Sequence, residues 1–164
     1  MTRESYIKAT AFLRKSEKRA KRANQINQIL VSFVSIQYPL FLLVLFRDKH
    51  PFLLRAIVVP AVSYVLVSLF RKLCNVPRPY EKFNLPPALK KETEGKSFPS
   101  RHVFSAFVIA ITIFTVFPTA GVIVGMAGTG LALLRVLGGV HEPRDVIAGA
   151  LVGLVSGMVG YYML

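Results

Sequence analysis

Ser100, Arg101 and His102 stand together in SFPSRHVFSAF, residues 97 to 107, at the threshold of the longest uncharged run in the chain, 103 to 134. Ionisable groups are costly at the edge of a lipid-facing helix unless something there uses them. Two further polar stretches join them. RKLCNVPRP, 71 to 79, carries Arg71, Lys72 and Arg78; LRVLGGVHEPRD, 134 to 145, carries Arg135, His141, Arg144 and Asp145. Guanidinium groups suit a multiply charged oxyanion, because each binds phosphate through paired hydrogen bonds. Ser100 at a helix N-cap would aim the following backbone N–H groups at the same anion. Two histidines beside a bound phosphate supply a nucleophile and a proton donor. Asp145, four residues past His141, can hold one imidazole nitrogen and leave the other free to attack. Together these groups suit phosphoryl transfer by positioned charge. No metal or cofactor is expected: the nearby carboxylates are Glu142 and Asp145 alone, and the single Cys74 excludes a multi-cysteine site and an internal disulfide.

Each residue alone has an ordinary reading. An arginine at a membrane helix end anchors it at the interface. Ser100 could simply cap a helix, and Asp145 could simply oppose a macrodipole. What the ordinary readings leave unexplained is why all of these groups, with two of the three histidines, should share one face of the fold.

That sharing follows from the elements that position them. The chain has 164 residues, 53% hydrophobic with a mean hydropathy of +0.50, yet 21 Lys/Arg against 8 Asp/Glu. An apolar helical bundle with its charge in loops and tails reconciles the two. The net charge of +13 suits nucleic acid or anionic lipid, and the apolar runs decide for lipid headgroups and against nucleic acid. Residues 1 to 23, with eight Lys/Arg and a modest apolar side of Tyr6, Ile7, Phe12 and Leu13, read as a basic amphipathic interfacial helix without the features of a cleavable signal peptide. Residues 24 to 164 read as the membrane domain. Its spans fall at 24–46, 52–70, 102–117, 120–137 and 146–164, with Pro118-Thr-Ala-Gly121 dividing the long run. The expectation is all-α: a multi-pass bundle of about five transmembrane helices. With short turns, the 71–101 segment and the 135–145 loop then lie on the same face, and His50 lies on the other. Gly149, Gly153 and Gly157 line one helix face at four-residue spacing. Such faces let helices approach closely, either within the chain or, as the alternative, across a homodimer seam.

The three polar stretches resemble the signature of the type 2 phosphatidic acid phosphatase superfamily: Lys-x6-Arg-Pro, then Pro-Ser-Gly-His, then Ser-Arg-x5-His-x3-Asp. Here they read R-KLCNVP-RP (71–79), PSRH (99–102) and LR-VLGGV-H-EPR-D (134–145), in the same order and spacing, with the resemblance covering 52–164. It implies a membrane lipid phosphatase working without a metal ion through a phosphohistidine. His141 would be the nucleophile and Asp145 its orienting partner. His102 would be the general acid, then the base that activates water. Arg71, Arg78, Ser100, the backbone at Arg101, and Arg135 would bind phosphate. Three positions depart from the pattern. Arg71 stands where the family has lysine, Arg101 where it has glycine, and Leu134 where it has serine. If that glycine requires positive φ, Arg101 would be strained.

The implied substrate is an amphiphile with phosphate at headgroup depth: phosphatidic acid, phosphatidylglycerol phosphate or undecaprenyl diphosphate. The loop 80–98 would shape access. The competing reading is a non-enzymatic lipid-phosphate-binding protein or small transporter built on the same basic pocket. Family precedent puts the site away from the cytoplasm. However, 18 of the 21 Lys/Arg share the site's face, and 13 remain after Arg71, Arg78, Arg101, Arg135 and Arg144 are set aside, against 3 on the other face. The positive-inside rule therefore puts the site in the cytoplasm. On that rule, a membrane-impermeant maleimide leaves Cys74 unlabelled in intact cells and labels it after permeabilisation; labelling of intact cells reverses the orientation.

Overall fold

A computed structural model of the chain describes residues 1–90 and 93–163. The regular structure of these residues is helical: α1 (Arg3–Arg14), α2 (Glu17–Arg47), α3 (Leu53–Cys74), α4 (Pro79–Phe83), α5 (Arg101–Phe114), α6 (Pro118–Leu137) and α7 (Pro143–Met158), closed by a π-helical turn at Val159–Met163.

Thr2 starts α1 through a reciprocal capping box, its hydroxyl accepting from Ser5 N–H at 3.2 Å while Ser5 Oγ accepts from Thr2 N–H at 3.0 Å. The helix breaks at Lys15–Ser16, so residues 17 to 23 belong to α2 and not to the N-terminal helix. The inner side of α1 is Tyr6, Thr10 and Leu13, whereas Ile7 and Phe12 face outward. The difference from the expected apolar side is one of helical phase: Tyr6, Thr10 and Leu13 recur at the i, i+4, i+7 spacing that faces a single neighbour.

Four stretches, Glu17–Arg47, Leu53–Phe83, Pro118–Leu137 and Pro143–Met163, are long and apolar enough to cross a membrane. Their outward residues, such as Phe46, Leu69 and Leu133, are large, apolar and exposed, as a lipid-facing surface requires. The chain is a multi-pass membrane protein. Pro39 and Pro60 sit inside α2 and α3 without ending them, as prolines in membrane helices can. The fifth apolar helix, α5, has 14 residues, about 21 Å at 1.5 Å per residue against a hydrocarbon core of about 30 Å. It occupies the middle of the bundle, touching α2, α3, α6 and α7, and seven of its side chains from Val103 to Ile113 are buried. The long apolar run breaks where expected, with Pro118 in the first turn of α6.

The glycine face of α7 packs within the chain. A Cβ on Gly149 would sit 2.6 Å from Ser100 O, and one on Gly153 would sit 2.7 Å from Phe104 O, so α7 lies directly on the α5 backbone. A homodimer seam through this face would have to displace α5. Gly125 of α6 is looser, with 3.8 Å from its added Cβ to Ala110 Cβ. Gly153→Ala is therefore expected to destabilise the detergent-solubilised protein by about 1–3 kcal/mol, as overpacking against backbone does. Gly125→Ala should leave the melting temperature nearly unchanged, and equal melting of the two variants would refute the packing account.

Candidate active site

α5 and α7 start side by side. Ser100 N–H donates to Asp145 O at 2.8 Å, and the Gly149 contact leaves no slack beneath that bond. The PSRH and HEPRD stretches thereby become neighbours. Ser100 occupies the N-cap position of α5 but makes no capping hydrogen bond with its side chain. Its hydroxyl is buried and has no hydrogen-bond partner among the described residues. Arg101 lies in the first turn of α5 with ordinary helical φ, so the strain that a positive-φ requirement would impose does not arise. Its guanidinium stacks over Tyr64, 5.7 Å from the ring centre.

Between α6 and α7 the chain turns through Gly139, whose φ of +73° is open to glycine. A side chain there would also strike the hydroxyl of Tyr6, with its Cβ 2.6 Å away. His141 follows, 2% exposed. Its Nδ1 lies 3.4 Å from Asp145 Oδ2 and 3.3 Å from Ser97 Oγ. Ser97 Oγ donates to Asp145 Oδ2 at 2.5 Å, and Glu142 N–H donates to the same oxygen at 3.0 Å. The carboxylate is thus fixed by three groups, and the His141 contacts with Asp145 and Ser97 are both made by Nδ1, not by Nε2. Ser97 was not singled out from the sequence. It sits in an irregular loop forty-eight positions before Asp145, and no local pattern announces such a pairing.

The arginines divide by what they hold. Arg71 clamps the loop before α5, with Nη1 donating to Ser97 O at 3.3 Å and to Pro99 O, and Nη2 donating to Lys96 O. Arg78 donates from Nε to Gly95 O at 3.1 Å and from Nη1 to Val140 O at 3.2 Å. Glu81 supports the same loop, its carboxylate accepting from Arg78 N–H at 3.2 Å and Gly95 N–H at 2.9 Å. Arg135 is buried, and its Nε has no hydrogen-bond partner among the described residues. A cavity of about 330 Å³ is lined by Arg71, Lys72, Arg78, Arg101, His102 and His141, with Glu94 the one carboxylate among its described lining residues. Ser100, Arg135 and Asp145 are not on that wall; each is buried, with one polar atom that has no partner among the described residues. Asp145 Oδ1 accepts no hydrogen bond among the described residues, although Arg144 Nε stands 3.7 Å away. Within the loop 80–98, residues 91 and 92 lie outside those described.

Arg71, Arg78 and Arg101 repel one another across the cavity, and Asp145 attracts the first two. This arrangement favours an incoming anion. Burial pushes the His141 imidazole down to about 4, outweighing the Asp145 hydrogen bond that favours its charged form. His141 is therefore a neutral imidazole near pH 7, the protonation state with a free ring lone pair. In nitrogen-15 spectra of histidine-labelled protein, the signal lost in His141→Asn should titrate near pH 4 and not near 6.5; an ordinary midpoint would contradict this environment.

The chain is 27% identical over 110 residues to the "Bacitracin transport permease protein BcrC" of Bacillus licheniformis, a match covering 65% of this chain and 54% of that one. The chain thus spans about half the length of that curated relative. The fold is similar to the crystal structure of Aquifex aeolicus LpxE, with TM-score 0.63, 24% identity and coverage of 85% of this chain and 92% of that one. It is also similar to a transmembrane PAP2 type phosphatidylglycerolphosphate phosphatase from Bacillus subtilis, with TM-score 0.66, 23% identity and coverage of 95% and 87%. The family model described as the PAP2 superfamily matches residues 52–164, from the start of the second apolar helix through the last, and the chain belongs to that superfamily.

Proposed function

We propose that the chain is a membrane lipid phosphatase that hydrolyses a lipid phosphomonoester or diphosphate through a phosphohistidine on His141. The observation that supports this most is the chain Ser97–Asp145–His141, which fixes a buried neutral imidazole by Nδ1 beside a cavity lined with arginines and a second histidine. In this reading, Nε2 of His141 attacks phosphorus as the bond to the leaving oxygen breaks. His102 gives that oxygen a proton, then takes one from water, which attacks the phosphohistidine and releases inorganic phosphate with His141 neutral again. Arg78 and Arg101 neutralise the phosphoryl oxygens, and Arg135 and Ser100 supply unmet donors close behind them. Arg71 contributes charge, and its clamp on the carbonyls of Lys96, Ser97 and Pro99 keeps the loop beneath the anion in place.

The substrate is an amphiphile whose phosphate rests at headgroup depth, with phosphatidic acid, phosphatidylglycerol phosphate and undecaprenyl diphosphate as the candidates. The eight Lys/Arg of residues 1–23 are all exposed, which suits contact with anionic lipid headgroups. We take residues 24–164 as the catalytic unit, with that basic segment as its membrane-surface accessory. The glycine face of α7, occupied by α5, argues for a monomer over a dimer joined there.

The test is phosphate release from a panel of lipid phosphates in detergent, without added metal. His141→Ala should lower kcat by at least about 10³-fold, as loss of a nucleophile does. His102→Ala should lower it by about 10²–10⁴-fold, the usual worth of a general acid–base. Lipid binding that survives His141→Ala, with no release by the unaltered protein, would instead establish a binding protein or transporter.

A further inference from the structure

The inner side of α1 closes over the turn that leads from α6 into His141, and it does so from outside the stretch, 52–164, that matches the superfamily. Tyr6 is fully buried, and its hydroxyl lies 3.4 Å from each of two carbonyl oxygens, those of Gly139 and Leu85. A buried hydroxyl needs an acceptor, and these two are within its reach. One group thereby ties the turn before His141 to the loop that follows α4. The Tyr6 ring packs beside Phe83 of α4, with centres 5.5 Å apart. Burial raises the phenol pKa, so the hydroxyl stays a donor. Thr10, one turn on, is also fully buried, and a Cβ added to Gly139 would come within 2.9 Å of its methyl group. Leu13 continues the same side and packs with Val140, Leu89 and Ala23.

The turn needs such support because the imidazole's own bonds are long. Nδ1 of His141 stands 3.3 Å from Ser97 Oγ and 3.4 Å from Asp145 Oδ2, past the range of about 2.7–3.2 Å in which such bonds are strong. Where the ring points is then set largely by the backbone that carries it. Two consecutive carbonyls precede His141, and each is held from a different element: Gly139 O by Tyr6, and Val140 O by Arg78 Nη1 at 3.2 Å. The His141 N–H donates to Arg135 O at 3.2 Å. Gly139, with φ at +73°, is the residue of this turn with the most conformational freedom. Tyr6 is the side chain that grips it.

We infer that Tyr6 is a positioning residue for His141: by holding the Gly139 carbonyl it fixes the turn that aims the imidazole at phosphorus, so the catalytic unit is complete only with α1 docked. The inference rests on the phosphatase reading. Tyr6 is not among the described residues that line the catalytic cavity, so it acts through the backbone and not on the substrate. A plain anchor for α1 would change stability alone. A positioning residue changes turnover in a protein that stays folded and still binds its lipid.

Initial rates on phosphatidic acid, phosphatidylglycerol phosphate and undecaprenyl diphosphate in detergent provide the test, taken with melting temperatures and the nitrogen-15 titration of His141. Tyr6→Phe keeps the ring and removes the donor. On each lipid that is hydrolysed, kcat should fall about three- to tenfold, the worth of one neutral hydrogen bond, with KM within about twofold and melting nearly unchanged. Tyr6→Ala also removes the cover, while Asp145, Arg78 and Arg135, the charged groups that face His141, stay in place. The His141 midpoint should therefore rise from about 4 toward the ordinary 6.5 as water reaches the turn. Ile7→Ala, on the exposed side of the same helix, should leave rates and midpoint unchanged. Full kcat in Tyr6→Phe, a loss confined to KM, or an equal loss in Ile7→Ala overturns the inference while leaving the phosphatase reading standing. A midpoint unmoved in folded Tyr6→Ala overturns it as well, and that readout needs no turnover. Release of phosphate from none of the three lipids by the unaltered protein defeats the phosphatase reading itself.

Discussion

The site depends on one backbone hydrogen bond, from Ser100 N–H to Asp145 O, and on the glycine beneath it. These two groups are far apart in the chain and belong to the first turns of helices that are not consecutive. Joining them brings the stretch that carries His102 against the stretch that carries His141. The approach is possible only because α7 presents no side chain at Gly149 and Gly153, so its backbone rests on that of α5. In lipid, where apolar residues gain little by leaving the solvent, such van der Waals proximity is the main attraction available. Packing and chemistry therefore have the same origin: the glycines that hold α7 to α5 also align the two histidine-bearing motifs.

The second constraint is charge. Several guanidinium groups are brought together at the edge of an apolar bundle, where desolvation and mutual repulsion both oppose them. The fold answers by giving them carbonyl oxygens. Arg71 and Arg78 bond to Lys96, Ser97, Pro99, Gly95 and Val140, so their positions are set by the protein's own backbone. Those same bonds shape the loop that presents Ser97 to Asp145. An arginine that organises backbone while projecting charge does what a lysine with its single ammonium could not do as well. This is a physical reason why Arg71 is workable at a position where the family pattern has lysine.

Much of this arrangement was legible in the sequence. Long apolar runs need a membrane, short turns sort loops to two faces, and spacing then collects the charged motifs on one of them. The division of the long run at Pro118 and the reach of Asp145 to His141 followed from local rules of proline and helix geometry. What local rules could not supply was anything decided by partners distant in the chain. The phase of α1 depends on the surface it meets around Gly139 and Leu85. The role of Ser97 depends on a loop folded back by Arg71. The hydroxyl of Ser100, expected to cap α5, is left without a described partner because its backbone is held by α7. Arg101 looked anomalous only while its backbone was unknown; placed in helical φ it needs no glycine.

The α5–α7 pairing also orders the events of biosynthesis. α6 lies between the two in the chain and must be threaded through the bilayer before α7 emerges. Until the final helix inserts, α5 has no surface to rest on along its Ser100–Phe104 edge, and His102 has no partner histidine. The two histidine-bearing stretches therefore cannot be neighbours in any arrangement that lacks α7; they meet where its glycines close on the short central helix.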